Sequence, residues 1–454
     1  MSEIFTCSGC SFASHKWFGR CPECGAWSTA TTGAPGASTG LVVAPLADAS
    51  PDAPRAATGI DELDRVLGGG VVRGSAVLLA GEPGIGKSTL VLQLLDSLAA
   101  AGAHVLLVSG EESAEQISGR AARMAVDPTR LNVAASTSLT DVLGTCATTR
   151  PDVVVIDSIQ TLVDDRLDHA AGSLVQIREC AGALVQHAKG SSTTFVLVGH
   201  VTKDGAVAGP KTLEHMVDVV LSLEGERSGP LRLLRAAKNR FGATDETGVF
   251  MMTTKGLDPV GDPSALLLAD RRSGVPGSIV FPSIEGSRPV LVEVQALVDK
   301  APPGQARRVA IGLDQRRLSL LIAVLSARAE VRLADHDVFV AAAGGLAIRE
   351  PAADLAVCLA MFSGATGVPL DDRAVALGEV GLSGEVRRVP GIARRLGEAR
   401  RLGFTSAFVP YSFDEAIAGL RLLRVPDVVA AFHQARGPRD RAGKGRGEGA
   451  RVTI

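Results

Sequence analysis

Apolar residues in this chain gather in short unbroken runs. Ala76–Ala80, Val105–Val108, Val153–Ile156 and Phe195–Val198 each read as a strand buried on both faces. Longer stretches between them, such as Leu90-Val-Leu-Gln-Leu-Leu95, carry intermittent polar breaks and read as helices. Buried strands alternating with helices predict a parallel sheet covered on both sides. Ligands of such sheets bind beyond the C-terminal strand ends, and Glu111, Asp157 and His200 all fall there.

The turn after the first run is Gly81-Glu82-Pro83-Gly84-Ile85-Gly86-Lys87-Ser88-Thr89, which fits the phosphate-binding pattern G-x-x-x-x-G-K-[ST]. Its glycines let backbone N–H groups turn inward around a triphosphate, and the following helix adds its positive N-terminus. Lys87 is expected to reach the β- and γ-phosphates, and Ser88 to hold Mg²⁺. Asp157, ending an apolar strand, has the position of the second Mg²⁺-binding residue. Glu111 or Glu112 could accept the proton of an attacking water. The pattern predicts binding of ATP or a related nucleotide.

Composition adds bounds. A length of 454 residues suits two or three domains. The net charge of −2 announces no global basic field, so any nucleic-acid site must be local. No apolar run reaches the ~18 residues of a membrane span, and the first residues lack the features of a signal peptide. A cytoplasmic protein is expected. Four of the seven cysteines form two C-x-x-C pairs, Cys7/Cys10 and Cys21/Cys24, a spacing that suits one tetrahedral Zn²⁺. Trp17 and Phe18, between the pairs, could form this module's small core or stack on nucleic acid. Residues 31–56, rich in Ala, Gly, Pro, Ser and Thr, read as a flexible linker, and 436–454 as a disordered basic tail.

These motifs occur in a telling order: the cysteine tetrad, GEPGIGKST, SGEES, VIDSIQT, GHVTKDGAVAGPKTLEHMVD and KNRFG. In that order they resemble the RadA (Sms) family of bacterial DNA-repair proteins over nearly the whole chain. The resemblance implies a RecA-like ATPase that forms hexameric rings on single-stranded and branched DNA. It further implies that RecA is a transient partner and that branch migration of recombination intermediates is the outcome. By the same likeness Glu111, rather than Glu112, is the catalytic carboxylate. The loops carrying Lys203 and Lys211 take the DNA-binding positions.

Residues 287–435 resemble the proteolytic domain of Lon, through His336–Gly345 and Gly378–Arg387. Lon-type proteases pair a serine with a lysine. Here Ala352 stands at the serine position and Ala393 near the lysine position, so the domain is expected to be inert and to act as a scaffold. Arg387, Arg388, Arg394 and Arg395 are its candidates for a basic surface, with Arg387 and Arg388 as candidates for binding DNA. The fold class expected is therefore α/β: a four-cysteine zinc ribbon (1–30), a linker, a RecA-like P-loop ATPase core (57–286) and a Lon-protease-like α/β domain (287–435).

Within KNRFG, Lys238 and Arg240 lie two apart on a strand and so share a face. Paired cations want an anion, and in a ring the neighbour's γ-phosphate would supply one, as for an arginine finger. DNA phosphates are the alternative target. Two other functional classes compete with a DNA-stimulated motor: an ATP-dependent protease, and a nucleotide-gated signalling or assembly ATPase.

Overall fold

A computed structural model describes residues 4–8, 13–14, 16–33, 54–200, 210–225, 229–302 and 304–436. Two units emerge, one up to Ala53 and one from Pro54. The first is built on a small antiparallel sheet of β1 (Ile4–Cys7), β2 (Ala13–Ser14) and β3 (Ala30–Gly33), in the order β2-β1-β3. Trp17 is exposed, so it is not the core of this unit. What lies buried instead are Cys7 and Cys21.

The linker expected over 31–56 is narrower than its composition suggests. Residues 31–33 complete β3, and β4 (Arg55–Ala56) pairs with β5 (Val71–Val72) across α1 (Asp61–Leu67). Two-residue strands are set by their partner and leave no periodicity to read. Residues 34–53, and the tail beyond Arg436, lie outside the described residues.

From β6 (Ala76–Gly81) the chain alternates as predicted: α2 (Lys87–Ala100), β7 (Val105–Ser109), α3 (Ala114–Arg123), β8 (Asn132–Ala135), α4 (Leu139–Thr149), β9 (Val153–Asp157), α5 (Leu174–Gly190), β10 (Thr194–His200), α6 (Pro210–Glu214) and β11 (Val219–Glu224). An antiparallel meander follows, β12 (Leu231–Asn239), β13 (Thr247–Thr253) and β14 (Gly256–Pro259). The nine strands run β14-β13-β12-β11-β6-β10-β9-β7-β8, the six from β6 to β11 being parallel. Both faces of β6 are dry. Val77 and Leu79 pack with α2 on one side, Ala76 and Leu78 with α5 on the other. This is why the run reads as unbroken rather than alternating.

After α7 (Pro263–Leu268) come β15 (Ser278–Glu285), β16 (Arg288–Lys300), β17 (Arg308–Ile311), α8 (Gln315–Arg328), β18 (His336–Ala342), α9 (Asp354–Thr366), β19 (Ala374–Ala376), β20 (Glu379–Val380), β21 (Val386–Arg387), α10 (Ile392–Arg401), β22 (Ser406–Pro410), β23 (Arg421–Val425) and α11 (Val428–Ala435). Seven of these strands form a second sheet, β17-β18-β16-β15-β19-β22-β23. Its central helix α9 is buried from Asp354 through Ser363, as its nearly all-apolar sequence requires. The junction expected at residue 287 falls inside the β15–β16 hairpin, and the sheet begins at Ser278. The two sheets share one unit because β12 and β13 are two-faced. Leu231 and Val249 join the second core, whereas Leu234 and Phe250 join the first.

Candidate active site

The β6–α2 turn takes its shape from two glycines. Gly84 and Gly86 have φ of 80° and 117°, the left-handed region that glycine tolerates. A Cβ on Gly86 would come within 2.7 Å of Met252 Cε, so the meander presses directly on the loop. Ile85 between them is buried, and its carbonyl accepts a 3.0 Å hydrogen bond from Arg232 Nε. The loop is thus fixed from behind by β12–β14.

Lys87 opens α2 and is only 4% exposed. Its Nζ donates to the carbonyls of Gly81 and Glu82, both at 2.9 Å, and lies 3.1 Å from His200 Nδ1. Burial pulls its pKa below the usual lysine value, while Asp157 and Glu111 pull the other way. Asp157 shows the mirror effect. Burial raises its pKa and Glu111 adds to the rise, whereas a hydrogen bond with Ser88 opposes it. That hydroxyl–carboxylate contact joins the start of α2 to the end of β9, and such hard oxygen donors fit Mg²⁺.

The two glutamates part company. Ser158 Oγ donates a 2.6 Å hydrogen bond to Glu111, and His200 Nε2 lies 3.5 Å from the same carboxylate oxygen. Glu112 instead pairs with Arg120 of α3. Glu111 therefore lies close enough to Lys87 and Asp157 to act on the charge of both, whereas Glu112 is tied to Arg120. Ser158, His200 and Arg232 entered the site without having been assigned roles from sequence. His200 had a signal, its strand-end position, whereas Arg232 is one of three cations along β12, with Arg235 and Lys238, and nothing in the sequence set it apart.

Lys238 and Arg240 do share a side. Lys238 Nζ donates to the carbonyls of Glu214 and Val217, both at 2.7 Å, and Arg240 Nη1 lies 3.0 Å from Asp218 Oδ1. Within its own chain the anion that Arg240 meets is Asp218. Both cations sit by the segment that enters β11, at the sheet edge opposite the loop of their own chain.

The other candidates spread out. Lys203 lies outside the described residues, and only the backbone of Lys211 is described, in α6. Arg387 pairs with Glu385, and Arg388 with Glu415, so their charge is offset locally. Arg394 is exposed and donates to the Ser287 carbonyl. Arg395 is no surface residue: it is 2% exposed and ion-paired with Glu350. Its place on the buried face of the amphipathic helix α10 explains the difference. Ala352 is buried and Ala393 exposed, and neither offers a nucleophile or a base.

In the N-terminal unit the Sγ atoms of Cys7, Cys21 and Cys24 lie within 4.8 Å of one another. Cys7 Sγ is 3.6 Å from Cys24 Sγ and 3.1 Å from Thr29 Oγ1. Three converging thiols fit a structural zinc site. The fourth expected ligand, Cys10, lies outside the described residues.

Known proteins resemble this chain in both units. A family model described as the ATPase KaiC matches residues 56–145, and one described as a rubredoxin metal binding domain matches residues 5–30. The chain is 46% identical to the DNA repair protein RadA of Mycobacterium tuberculosis over 441 residues, covering 94% of this chain and 92% of that one. It is 48% identical to RadA of Pseudomonas aeruginosa over 437 residues (93% and 96% covered) and 44% identical to RadA of Aquifex aeolicus over 435 residues (94% and 98%).

Proposed function

The chain belongs to the family of the DNA repair protein RadA, and on that footing we propose that it is a DNA-stimulated ATPase of recombinational repair. In this reading it works as a hexameric ring on single-stranded and branched DNA, in the cytoplasm, promoting branch migration beside RecA. The observation that carries it is the convergence of Lys87, Asp157 and Glu111 beside a phosphate loop.

The chemistry follows from the contacts. Lys87 leaves the Gly81 and Glu82 carbonyls for the β- and γ-phosphates, exchanging neutral acceptors for anionic ones. Ser88 and Asp157 would hold Mg²⁺, which when bound offsets the charge of the transferred phosphoryl group. Glu111, oriented by the Ser158 hydroxyl, positions the attacking water and takes its proton. His200 faces both Lys87 and Glu111, so it meets the γ-phosphate as it enters.

Zn²⁺ held by Cys7, Cys10, Cys21 and Cys24 would keep the N-terminal unit folded. The second domain, Lon-like and without a serine–lysine pair, serves as a scaffold rather than a protease. The test is ATP turnover with single-stranded, duplex and forked DNA, alongside strand separation and casein cleavage. Turnover that rises with DNA, without proteolysis, supports the reading. Turnover indifferent to every DNA, or casein cleavage that needs ATP, overturns it.

A further inference from the structure

Strand β12 presents a different domain on each face. Leu231 and Leu233 pack into the second core, and Arg235 on that same face pairs with Glu285 of β15. Leu234 and Ala236 pack into the first core, and Arg232 on their face reaches the phosphate loop. Alternation along a pleated strand requires this division, since residues one apart point to opposite sides.

Arg232 is 4% exposed, and burial lowers its pKa. Burying a guanidinium is costly unless its donors are used. Here Nε donates to Ile85, while Nη1 donates to the Gly229 and Leu231 carbonyls at 2.7 and 2.8 Å. Ile85 is the loop residue between the two left-handed glycines, where the backbone is easiest to turn. One bond from Arg232 therefore fixes the carbonyl on which the direction of the adjoining N–H groups depends. A cleft of about 650 Å³ separates Gly81 and Ile85 of the loop from Glu285 and Glu350 of the second domain, with β12 as its wall.

We propose that Arg232 is a positioning residue for nucleotide, holding the phosphate loop open through the Ile85 carbonyl. Through β12 the second domain sets this hold, by way of the Arg235–Glu285 pair. The inference rests on the reading of the loop as the ATP site. A domain that has lost its protease groups would thereby tune nucleotide affinity in the ATPase sheet.

The test is binding of a fluorescent ADP analogue to the full chain, with melting curves as a check on folding. Arg232→Met should weaken binding at least tenfold, and Arg232→Lys, which keeps one donor, should recover part of the loss. Glu285→Gln, which breaks the ion pair with Arg235, should change affinity at least threefold in the native background. In the Arg232→Met background it should change it less than 1.5-fold, because the link is already cut. Should Arg232→Met fail to fold, the cycle is run with Arg232→Lys, in which Glu285→Gln should have a smaller effect than in the native chain. Binding within twofold of native for Arg232→Met, or an equal effect of Glu285→Gln in both backgrounds, overturns the proposal. Lys87→Ala separates this from failure of the underlying reading. If Lys87→Ala still binds the analogue as the native chain does, the loop is not the nucleotide site at all.

Discussion

Ser158 Oγ donates to Glu111 at 2.6 Å, whereas Glu112, the next residue, turns away to Arg120. The turn after β7 thus sends one carboxylate toward Lys87 and its neighbour onto the surface of α3. Glu111→Gln should abolish hydrolysis while retaining bound ATP, because only the proton acceptor is lost. Glu112→Gln should hydrolyse normally and lose at most ~1 kcal/mol of stability, since its ion pair is partly exposed. Measuring turnover and ATP retention for both variants decides the assignment, and trapping by Glu112→Gln alone would reverse it.

The N-terminal unit has a different energetic basis. Its aromatic Trp17 and Trp27 are exposed, while the thiols of Cys7 and Cys21 are buried. A module of this size has little apolar core, so metal ligation supplies its folding free energy. Chelation, or Cys21→Ser with Cys24→Ser, should unfold the residues before about 34 and leave the main melting transition of the ATPase unchanged. Zinc content and two-step melting are the measurements. One zinc per chain is expected, and a native-like N-terminal unit in metal-free protein would defeat the argument.

How far the sequence spoke depended on whether local pattern or tertiary contact decided each feature. Unbroken apolar runs identified β6, β7, β9 and β10, because strands covered on both faces need no polar side. The loop and cysteine pairs were legible as fixed spacings. Arg395 was not, because a charge at a buried helix position looks like any surface arginine until Glu350 appears opposite it. Arg232 and Arg235 look alike in the chain, and only the second sheet gives them opposite partners. Glu111 and Glu112 are likewise equivalent by residue type, and only the resemblance favoured Glu111; in the fold Arg120, eight residues beyond Glu112 on α3, tells them apart.

A pH test follows from Glu398, which ties α10 to α7. It accepts from Arg401 Nε and Nη2 at 2.8 and 2.9 Å and from Ser264 Oγ at 2.8 Å. Arg401 above all, then Ser264, holds its pKa below the ordinary 4.5 against the opposing effect of burial. The folded state therefore favours the ionised form. The stability this contributes is complete above the ordinary value and is lost as pH falls through the lower folded value. Glu398→Gln should thus cost about 1–2 kcal/mol at pH 7, the worth of charge-assisted hydrogen bonds. The gap to the native chain should close as pH drops below about 4.5, the ordinary glutamate range. Urea melts at several pH values measure it, and a gap constant down to pH 3 would contradict the linkage.

Arg240 carries the last prediction. Its partner Asp218 also accepts from the Ala76 amide at 3.0 Å, so the pair lies at the entry of β6. The phosphate loop begins at the other end of that strand, about 16 Å away at ~3.3 Å per residue. Arg240 therefore cannot serve the nucleotide of its own chain from this position. Its side chain is nearly half exposed, and the Asp218 contact at 3.0 Å is a single-donor one that a triphosphate would outcompete. If rings form as proposed, the neighbour's γ-phosphate is the anion it meets. Arg240→Ala and Lys87→Ala subunits should each be inactive alone and regain partial ATPase activity when mixed, since some interfaces then combine an intact loop with an intact arginine. Asp218→Asn should leave Arg240 freer and keep activity within a few-fold of native. Mixed rings without recovery, or full hydrolysis by Arg240→Ala alone, would exclude the trans role and turn attention to DNA phosphates as the target of this pair.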